Sequence, residues 1–294
     1  MTIPKIAAYS LDDALAPCDA KVDWLINSQN AVLLVHDMQE YFANFYDCDQ
    51  EPFTSMLKNM QTVISAARSR DIPVIYTAQP TNQALSDRAL LTDFWGAGLQ
   101  ESHNSHHIIS AVAPSPQCKV YTKWRYSAFQ KSSFDEDLQA QAKNQIIICG
   151  VYAHIGILST ALEGFMRDYQ CFVIEDAIAD FSAQEHLWAR QWIAGRCGKV
   201  LNTQSVLAQI SSTPSDITEI DIASLVGEIL AIPASDIQPT DNLADWGLDS
   251  MRLMTIADTL KAAGSTLDFM ALAQRPSLAE WQAMLEADTQ LALS

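Results

Sequence analysis

Four polar residues each stand just beyond a short apolar run of the sequence: Asp37, Gln79, Lys123 and Tyr152. Taken alone, Asp37 has an ordinary interpretation as the N-cap of a following helix. Together with Lys123 it also offers a carboxyl group and an amine for acid–base chemistry. Burial would raise the pKa of the carboxyl group, whereas a nearby ammonium would lower it. The chemistry therefore depends on the elements that position these side chains.

The apolar runs before these residues are short and continuous, which is typical of strands buried on both faces of a parallel sheet. The predicted strands are 31–36, 73–77, 119–122, 145–149 and 171–175. Helix-length segments at 53–70, 155–169 and 183–197 lie between them, so the pattern predicts an open α/β domain. In such a domain ligands bind beyond the carboxyl ends of the strands, where the four polar residues are expected.

Charge divides the chain into two parts. Residues 216–294 contain 3 basic and 13 acidic side chains, net −10, whereas residues 1–215 contain 15 and 22, net −7. A stretch of small residues with one proline at the junction is typical of a linker. We therefore predict domains at 1–208 and 217–294, joined by a linker at 209–216. Apolar helical runs at 218–230, 250–263, 267–273 and 278–286 predict a small all-α four-helix bundle for the second domain.

Composition excludes several classes of function. The formal net charge of −17 opposes binding to nucleic acids and anionic membranes. No apolar run approaches the roughly 18 residues of a membrane span, and the N-terminus lacks the apolar stretch of a signal peptide. The six cysteines contain no C-x-x-C pair, which favours reduced thiols. We therefore predict a cytoplasmic protein with no nucleic-acid or membrane partner.

Four motifs of the first part resemble those of the isochorismatase family, and specifically its siderophore branch. They are VLLVHDMQ at 32–39, YTAQP at 76–80, KWRYSAF at 123–129 and GVYAHIG at 150–156. The resemblance covers residues 1 to about 208 and implies an open parallel sheet sandwiched by helices. It also implies a homo-oligomer, because members of the family usually self-associate.

The resemblance implies a reaction without a protein nucleophile. Family members that hydrolyse amides have a cysteine where this chain has Gly156, and Cys149 lies in an apolar run typical of a core strand. The family's isochorismatases cleave the vinyl ether of isochorismate, which requires a general acid, and the resemblance assigns that role to Asp37. Lys123 and Gly156 complete the implied catalytic set. We expect the site to raise the pKa of Asp37 when substrate binds, with Lys123 then nearer the pyruvyl carboxylate or ether oxygen, and Gly156 to leave room for the substrate ring or a water.

The resemblance also implies a set of residues around the substrate: Phe42, Gln79, Arg88, Trp95 and Tyr152. Arg88 could pair with a carboxylate through two parallel hydrogen bonds, although a solvated helix charge is the alternative. We expect His36 and His154 to be packing or hydrogen-bonding residues rather than acid–base groups. The histidines at 101–107 match no metal-binding spacing, so a solvated loop and no metal site are predicted.

The acidic C-terminal part resembles acyl, peptidyl and aryl carrier proteins. The stretch DNLADWGLDSMRL at 241–253 carries this resemblance, which covers about 217–285 and implies that Ser250 receives a 4′-phosphopantetheine arm. A helix start suits the phosphodiester because its N–H groups and dipole favour an anion; an ordinary helix N-cap is the alternative. Of the apolar residues that follow, Met251, Leu253 and Met254, some must pack inward, and Met251 is predicted to be exposed.

Together the two resemblances imply an isochorismatase joined to an aryl carrier domain. The implied products are 2,3-dihydro-2,3-dihydroxybenzoate and pyruvate, and the arm would carry 2,3-dihydroxybenzoate for nonribosomal siderophore assembly. The implied partners are a phosphopantetheinyl transferase, a 2,3-dihydroxybenzoate adenylating ligase and a condensation domain. One alternative is a docking scaffold without catalysis, which the presence of Asp37, Lys123 and Arg88 disfavours. The other is an amidase of the nicotinamidase type, which Gly156 disfavours.

Overall fold

The computed structural model describes residues 3–18, 20–101, 105–211, 221–262 and 265–292. The chain divides into two compact units, Met1–Ser211 and Ser212–Ser294. The last helix of the first unit runs over Thr203–Ser211, so residues 209–211 of the predicted linker are helical. Residues 212–216 of that linker lie outside the described residues, as do residues 218–220 of the first predicted C-terminal helix.

The first unit is built on a six-stranded sheet in which every neighbouring pair of strands is parallel. The strands are β1 (Ala31–His36), β2 (Val74–Ala78), β3 (Val120–Thr122), β4 (Gln145–Val151), β5 (Gln170–Ala179) and β6 (Lys199–Leu201). Their order is β3-β2-β1-β4-β5-β6. The chain thus moves outward from β1 in one direction and from β4 in the other, and ligands bind at such a switch point.

Helices cover both faces of the sheet, as predicted for an α/β sandwich. The helices of the first unit are α1 (Leu11–Ala14), α2 (Glu40–Ala43), α3 (Phe53–Ser69), α4 (Leu85–Arg88), α5 (Leu91–Trp95), α6 (Phe134–Ala140), α7 (Leu158–Phe165), α8 (Ala183–Arg196) and α9 (Thr203–Ser211). A π-helical turn over Ala153–Ile157 precedes α7. Leu33 and Val35 of β1 pack into the core on one face, and Val32 and Leu34 pack into the core on the other. Alternation of side chains along a strand explains this division.

Two features of the sheet depart from the sequence prediction. The prediction missed β6, which has only three residues, all of them half-buried. It also ended the fifth strand at Glu175, the first of two consecutive acidic residues. In the structure Glu175 pairs with the buried Arg190 of α8, and Asp176 accepts a 2.8 Å hydrogen bond from the Thr203 amide. With both carboxylates satisfied, β5 continues to Ala179.

The second unit is helical, with a core of its own. Its helices are α10 (Ile222–Leu230), α11 (Ser250–Ala262), α12 (Phe269–Gln274) and α13 (Leu278–Ala292), close to the four predicted from apolar periodicity. Trp281 is fully buried at the centre and donates a 3.0 Å hydrogen bond to the carbonyl of Leu272. Within the described part of the chain, no helix has the length and apolar character needed to cross a membrane.

Candidate active site

Asp37 lies at the carboxyl end of β1, where three neighbouring strands bring its partners together. It follows the last residue of the strand with a φ of 50°, and only 6% of the residue is exposed. The Thr77 hydroxyl on β2 donates to one carboxylate oxygen at 2.7 Å. The Lys123 ammonium, one residue beyond β3, donates to the other oxygen at 3.0 Å. Asp37 and Lys123 therefore form a buried ion pair at the edge of the sheet.

This environment holds the carboxyl group of Asp37 in its ionised form. Burial is the largest single influence and raises the pKa, but Lys123, His36 and the Thr77 hydrogen bond together lower it below the ordinary value. Burial likewise lowers the pKa of Lys123, and the charge of Asp37 opposes that change. The raised pKa expected for a general acid is therefore not a property of the free protein, because Lys123 contacts Asp37 directly.

The ion pair lies in an open cavity lined by aromatic and charged side chains, a lining typical of small-molecule sites. All eight residues predicted around the reaction centre line this one cavity: Asp37, Phe42, Gln79, Arg88, Trp95, Lys123, Tyr152 and Gly156. The strand-end rule predicted four of these residues, and the family resemblance implied the other four. Aromatic rings form one wall, where Tyr152 packs edge-on against Phe42 at 5.9 Å and Phe181 at 4.7 Å between ring centroids.

Arg88 is a buried cation without a carboxylate partner among the described residues. The residue is 3% exposed, and its Nε donates to the carbonyl of Gly96 at 2.5 Å. Its Nη1 is buried and makes no hydrogen bond within the described part of the chain. Burial lowers the pKa of the guanidinium from its ordinary value. The alternative of a solvated helix charge is therefore wrong, and an unsatisfied donor of Arg88 lies beside the cavity.

The cavity carries an excess of positive charge. Arg125 also lines it and donates hydrogen bonds to the backbone carbonyls of Asp87 and Trp124, at 2.7 and 2.6 Å. Because the charges of Asp37 and Lys123 cancel, Arg88 and Arg125 leave a net charge of about +2 around the cavity. A chain whose net charge is −17 thus presents a local site for an anion with two negative charges.

Gly156 lies in the π-helical turn after β4, and its surroundings differ from the expectation. A Cβ built on Gly156 would overlap the ring of His36. The space expected for the substrate ring or a water is therefore taken by an imidazole. His36 is fully buried and its Nδ1 donates to the Val151 carbonyl at 2.8 Å. Burial lowers the pKa of His36 to about 4, so the ring is neutral near pH 7.

His154, from the same turn, interacts with Asp180 rather than with the cavity. The two side chains are 2.5 Å apart, and Asp180 also accepts a 2.7 Å hydrogen bond from the His154 amide. The expectation of a hydrogen-bonding histidine is met. Residues 102–104 of the predicted histidine-rich loop lie outside the described residues.

The family model for the isochorismatase domain matches residues 31–205 of the chain. The chain belongs to the isochorismatase family. The isochorismatase of Bacillus subtilis is 39% identical to it over 306 residues, covering 100% of this chain and 98% of that protein. Enterobactin synthase component B of Escherichia coli is 39% identical over 289 residues, covering 98% and 99%. A solved cysteine hydrolase from Pseudomonas syringae matches with a TM-score of 0.61 at 25% identity, over 67% of this chain and 99% of its own.

This isochorismatase-family hydrolase continues into a second recognised domain. A family model described as a phosphopantetheine attachment site matches residues 221–285, so the protein has a covalently attached phosphopantetheine group. Ser250 is exposed and is the first residue of α11. Asp249, not Ser250, caps the helix by accepting a 2.8 Å hydrogen bond from the Arg252 amide. The exposed hydroxyl at a helix N-terminus, with the Arg252 guanidinium two residues on, fits a phosphodiester.

The apolar residues after Ser250 differ in exposure according to the face of α11 on which they lie. Met251 is 81% exposed and Met254 is 51% exposed, whereas Leu253 is 6% exposed and packs into the core of the unit. Met251 is therefore the exposed residue, as predicted. The exposed Met251 directly follows Ser250 in the sequence, and the exposed Met254 lies one helical turn further along α11.

Sequence reasoning missed several residues of the hydrolase site: Tyr41, Thr77, Arg125, Tyr126 and Phe181. Thr77 is the last residue of a predicted strand, so its side chain could have been included by extending the strand-end rule one position inward. Phe181 was missed because the predicted fifth strand ended too early. The Tyr126 hydroxyl accepts a 2.8 Å hydrogen bond from the indole of Trp95 at the cavity mouth, a contact for which the sequence contains no signal.

Proposed function

We propose that this protein hydrolyses the vinyl ether of isochorismate to 2,3-dihydro-2,3-dihydroxybenzoate and pyruvate, and that its second domain carries 2,3-dihydroxybenzoate as a thioester. The observation that carries the proposal is the buried Asp37–Lys123 pair in a cationic cavity with a glycine at position 156. Isochorismate has two carboxylates, which match the two cations Arg88 and Arg125. The absence of a side chain on Gly156 leaves protonation, not acyl transfer, as the chemistry.

In this mechanism substrate binding changes the protonation of Asp37. The pyruvyl carboxylate competes with Asp37 for Lys123, which is 3.0 Å from Asp37 in the free protein. Once its cation turns to the substrate, the buried carboxyl group loses the main influence that lowers its pKa and takes up a proton. Arg88 and Arg125 meanwhile bind the dianion, and aromatic rings line the cavity around it.

The reaction then proceeds by acid catalysis. Asp37 donates its proton to the terminal methylene carbon of the enol ether, which produces an oxocarbenium ion and leaves Asp37 ionised. Water adds to that cation and loses a proton. The resulting hemiketal collapses, with its C–O bond to the ring breaking, to give pyruvate and the ring alcohol. The restored Asp37 carboxylate stabilises the cation through its charge.

For the carrier domain we propose that Ser250 is the attachment residue. The arm supplies the thiol that forms the thioester, so the domain itself needs only an exposed serine and a surface for its partners. Proposed partners are a phosphopantetheinyl transferase, an adenylating ligase for 2,3-dihydroxybenzoate and a condensation domain. The full-length match to a relative named enterobactin synthase component B supports a siderophore pathway. We further propose a homo-oligomer and, because the sequence contains no C-x-x-C pair and its cysteines are widely spaced, a cytoplasmic location.

The geometry also bears on two other functions. A docking scaffold would have no need to bury Arg88 without a counter-ion, because an uncompensated buried charge destabilises the fold. An amidase of this family would need a nucleophile at position 156, where this chain has a glycine. The described geometry favours the vinyl-ether hydrolase over both.

The test is pyruvate release from isochorismate by the purified protein, with Asp37→Asn and Ser250→Ala as matched variants. Asp37→Asn is expected to lose pyruvate release and to gain the mass of a phosphopantetheine arm when incubated with a transferase and coenzyme A. Ser250→Ala is expected to show the reverse. Full hydrolysis by Asp37→Asn would refute the assignment of the general acid, and a mass gain in Ser250→Ala would refute the attachment residue.

A further inference from the structure

The buried ring of His36 has a function that neither the family motifs nor the reaction assigns. It is the last residue of β1, next to Asp37, and its Nδ1 lies 3.8 Å from a carboxylate oxygen of Asp37. The Nδ1–H group donates a 2.8 Å hydrogen bond to the carbonyl of Val151. The other nitrogen, Nε2, is also buried, and the backbone of Tyr126 lies close enough to the ring to oppose part of the lowering of its pKa by burial. The ring therefore offers no proton to the reaction in this state.

The same ring stands where a side chain of residue 156 would begin. A Cβ added to Gly156 would overlap Cε1 of His36 and would lie 2.9 Å from Nε2. Real Cβ atoms do not approach other atoms so closely, so His36 and any side chain at 156 compete for one volume. That volume borders Asp37, and Lys123 lies just beyond the carboxylate. A thiol or hydroxyl released into it would therefore lie beside a carboxylate and an ammonium.

We propose that His36 is a specificity-determining residue, whose ring occupies the place of a nucleophile and so confines this site to hydrolysis without a covalent intermediate. The inference rests on the proposed function only in assuming which reaction the site catalyses. The inference itself is that the ring of His36 sterically excludes a side chain at position 156. Gly156 is thus one half of a pair, and replacing it alone would not convert the site.

Histidine is suited to this position for two reasons. Its Nδ1–H satisfies the buried carbonyl of Val151, which an aliphatic side chain would leave without a donor. Its neutral ring fills the space without adding a charge beside Asp37 and Lys123. Asparagine can keep an N–H donor toward Val151 but lacks the distal ring atoms, so His36→Asn would empty the disputed volume while sparing the hydrogen bond.

The experiment compares the full chain with the variants His36→Asn, Gly156→Cys, the combined His36→Asn/Gly156→Cys, and Gly195→Cys. Gly195 is the matched control, because a Cβ there would meet no atom within 4 Å. Two properties are measured. One is the melting temperature of the first unit, and the other is alkylation by iodoacetamide, located by peptide mass so that the introduced thiol at position 156 is distinguished from the six native cysteines.

Gly156→Cys alone is expected to lower the melting temperature by about 2–12 °C, the range for overpacking a domain of this size. In the combined variant the additional loss relative to His36→Asn is expected to be much smaller, and the introduced thiol is expected to be alkylated. Gly195→Cys should stay near the wild-type temperature. The proposal is overturned if Gly156→Cys alone matches the Gly195 control, if His36→Asn brings no recovery, or if the introduced thiol of a recovered double variant stays unreactive.

Both measurements are independent of isochorismate turnover. Failure of the proposed function would appear as absent pyruvate release in the wild-type protein. Failure of the inference about His36 would appear in melting temperature and alkylation, whatever the reaction proves to be. The two outcomes can therefore be told apart.

Discussion

Replacing Lys123 with methionine would remove the cation beside Asp37 while keeping most of the apolar length of the side chain. The two charged atoms are 3.0 Å apart, and both residues are almost fully buried. Removing one partner of a buried pair leaves an uncompensated charge and typically costs about 3–5 kcal/mol. The Thr77 hydrogen bond cannot replace a full positive charge. We therefore expect Lys123→Met to lose about 3–5 kcal/mol of unfolding free energy at pH 7.

The loss is expected to depend on pH, and its sign follows from the pKa of Asp37. In the wild-type protein that pKa is lowered on folding, so its stabilising contribution is present above the unfolded value of about 3.9 and is lost as pH falls through the folded value. In Lys123→Met the burial of Asp37 is no longer opposed by a cation, so it raises the pKa of Asp37 in the folded protein above the pKa in the unfolded protein. The variant therefore gains stability as pH falls through this raised pKa. The difference in unfolding free energy between the variant and the wild-type protein becomes smaller as a result.

The assay is urea unfolding of the full chain between pH 4 and pH 8. Lys119→Met is the matched control, because Lys119 pairs with Asp137 at a largely exposed position, where an ion pair contributes about 0–1 kcal/mol. Lys123→Met should differ from wild type most at pH 8 and least at pH 4, and Lys119→Met should differ little throughout. A stability difference for Lys123→Met that stays constant over this range would refute the reasoning, because it would mean that Asp37 keeps its pKa without Lys123.

Three further predictions concern binding, protonation and packing. Arg88→Gln should raise KM for isochorismate by about 10–100-fold, because the substrate would lose a hydrogen bond to a charged group. An unchanged KM in steady-state assays would contradict the role of Arg88 in binding. Because Asp37 is ionised in the free protein, kcat/KM should fall about tenfold per pH unit between pH 5 and 8 while kcat falls less; a pH-independent kcat/KM would exclude Asp37 as the acid. In the carrier domain, Leu253→Ala should cost about 2–5 kcal/mol in thermal unfolding and Met251→Ala within about 0.5 kcal/mol, and equal losses would contradict the assigned core.

Much of the fold could be predicted because apolar strands and parallel topology are encoded locally. The run AVLLVH has the bounds of β1 in both the prediction and the structure, and strand ends led directly to Asp37 and Lys123. The extension of β5 could not be predicted, because it depends on partners for Glu175 and Asp176 that come from α8 and α9. Such long-range compensation is invisible to a pattern read over a few residues.

The residues that line the cavity could be predicted from the sequence, but the electrostatic state of the cavity could not. The residues predicted from the strand ends and the family motifs all line one cavity. The distance between Lys123 and Asp37, however, decides which protonation form of Asp37 prevails, and the spacing of residues in the sequence does not give that distance. The surroundings of Gly156 were likewise misjudged, because a missing side chain was taken as open space. The His36 ring fills it, and the two residues are 120 positions apart in the sequence.

The unpaired guanidinium of Arg88 means that the free protein is not in its most stable form. A buried cation without a counter-ion destabilises the fold, so selection for stability alone would replace Arg88 with an apolar residue. Under the proposed function Arg88 is a compromise, because the empty protein sacrifices stability that a bound anion restores. Substitutions at this position would then raise thermal stability and weaken substrate binding. Selection for thermostability in the absence of substrate would be expected to replace this arginine early.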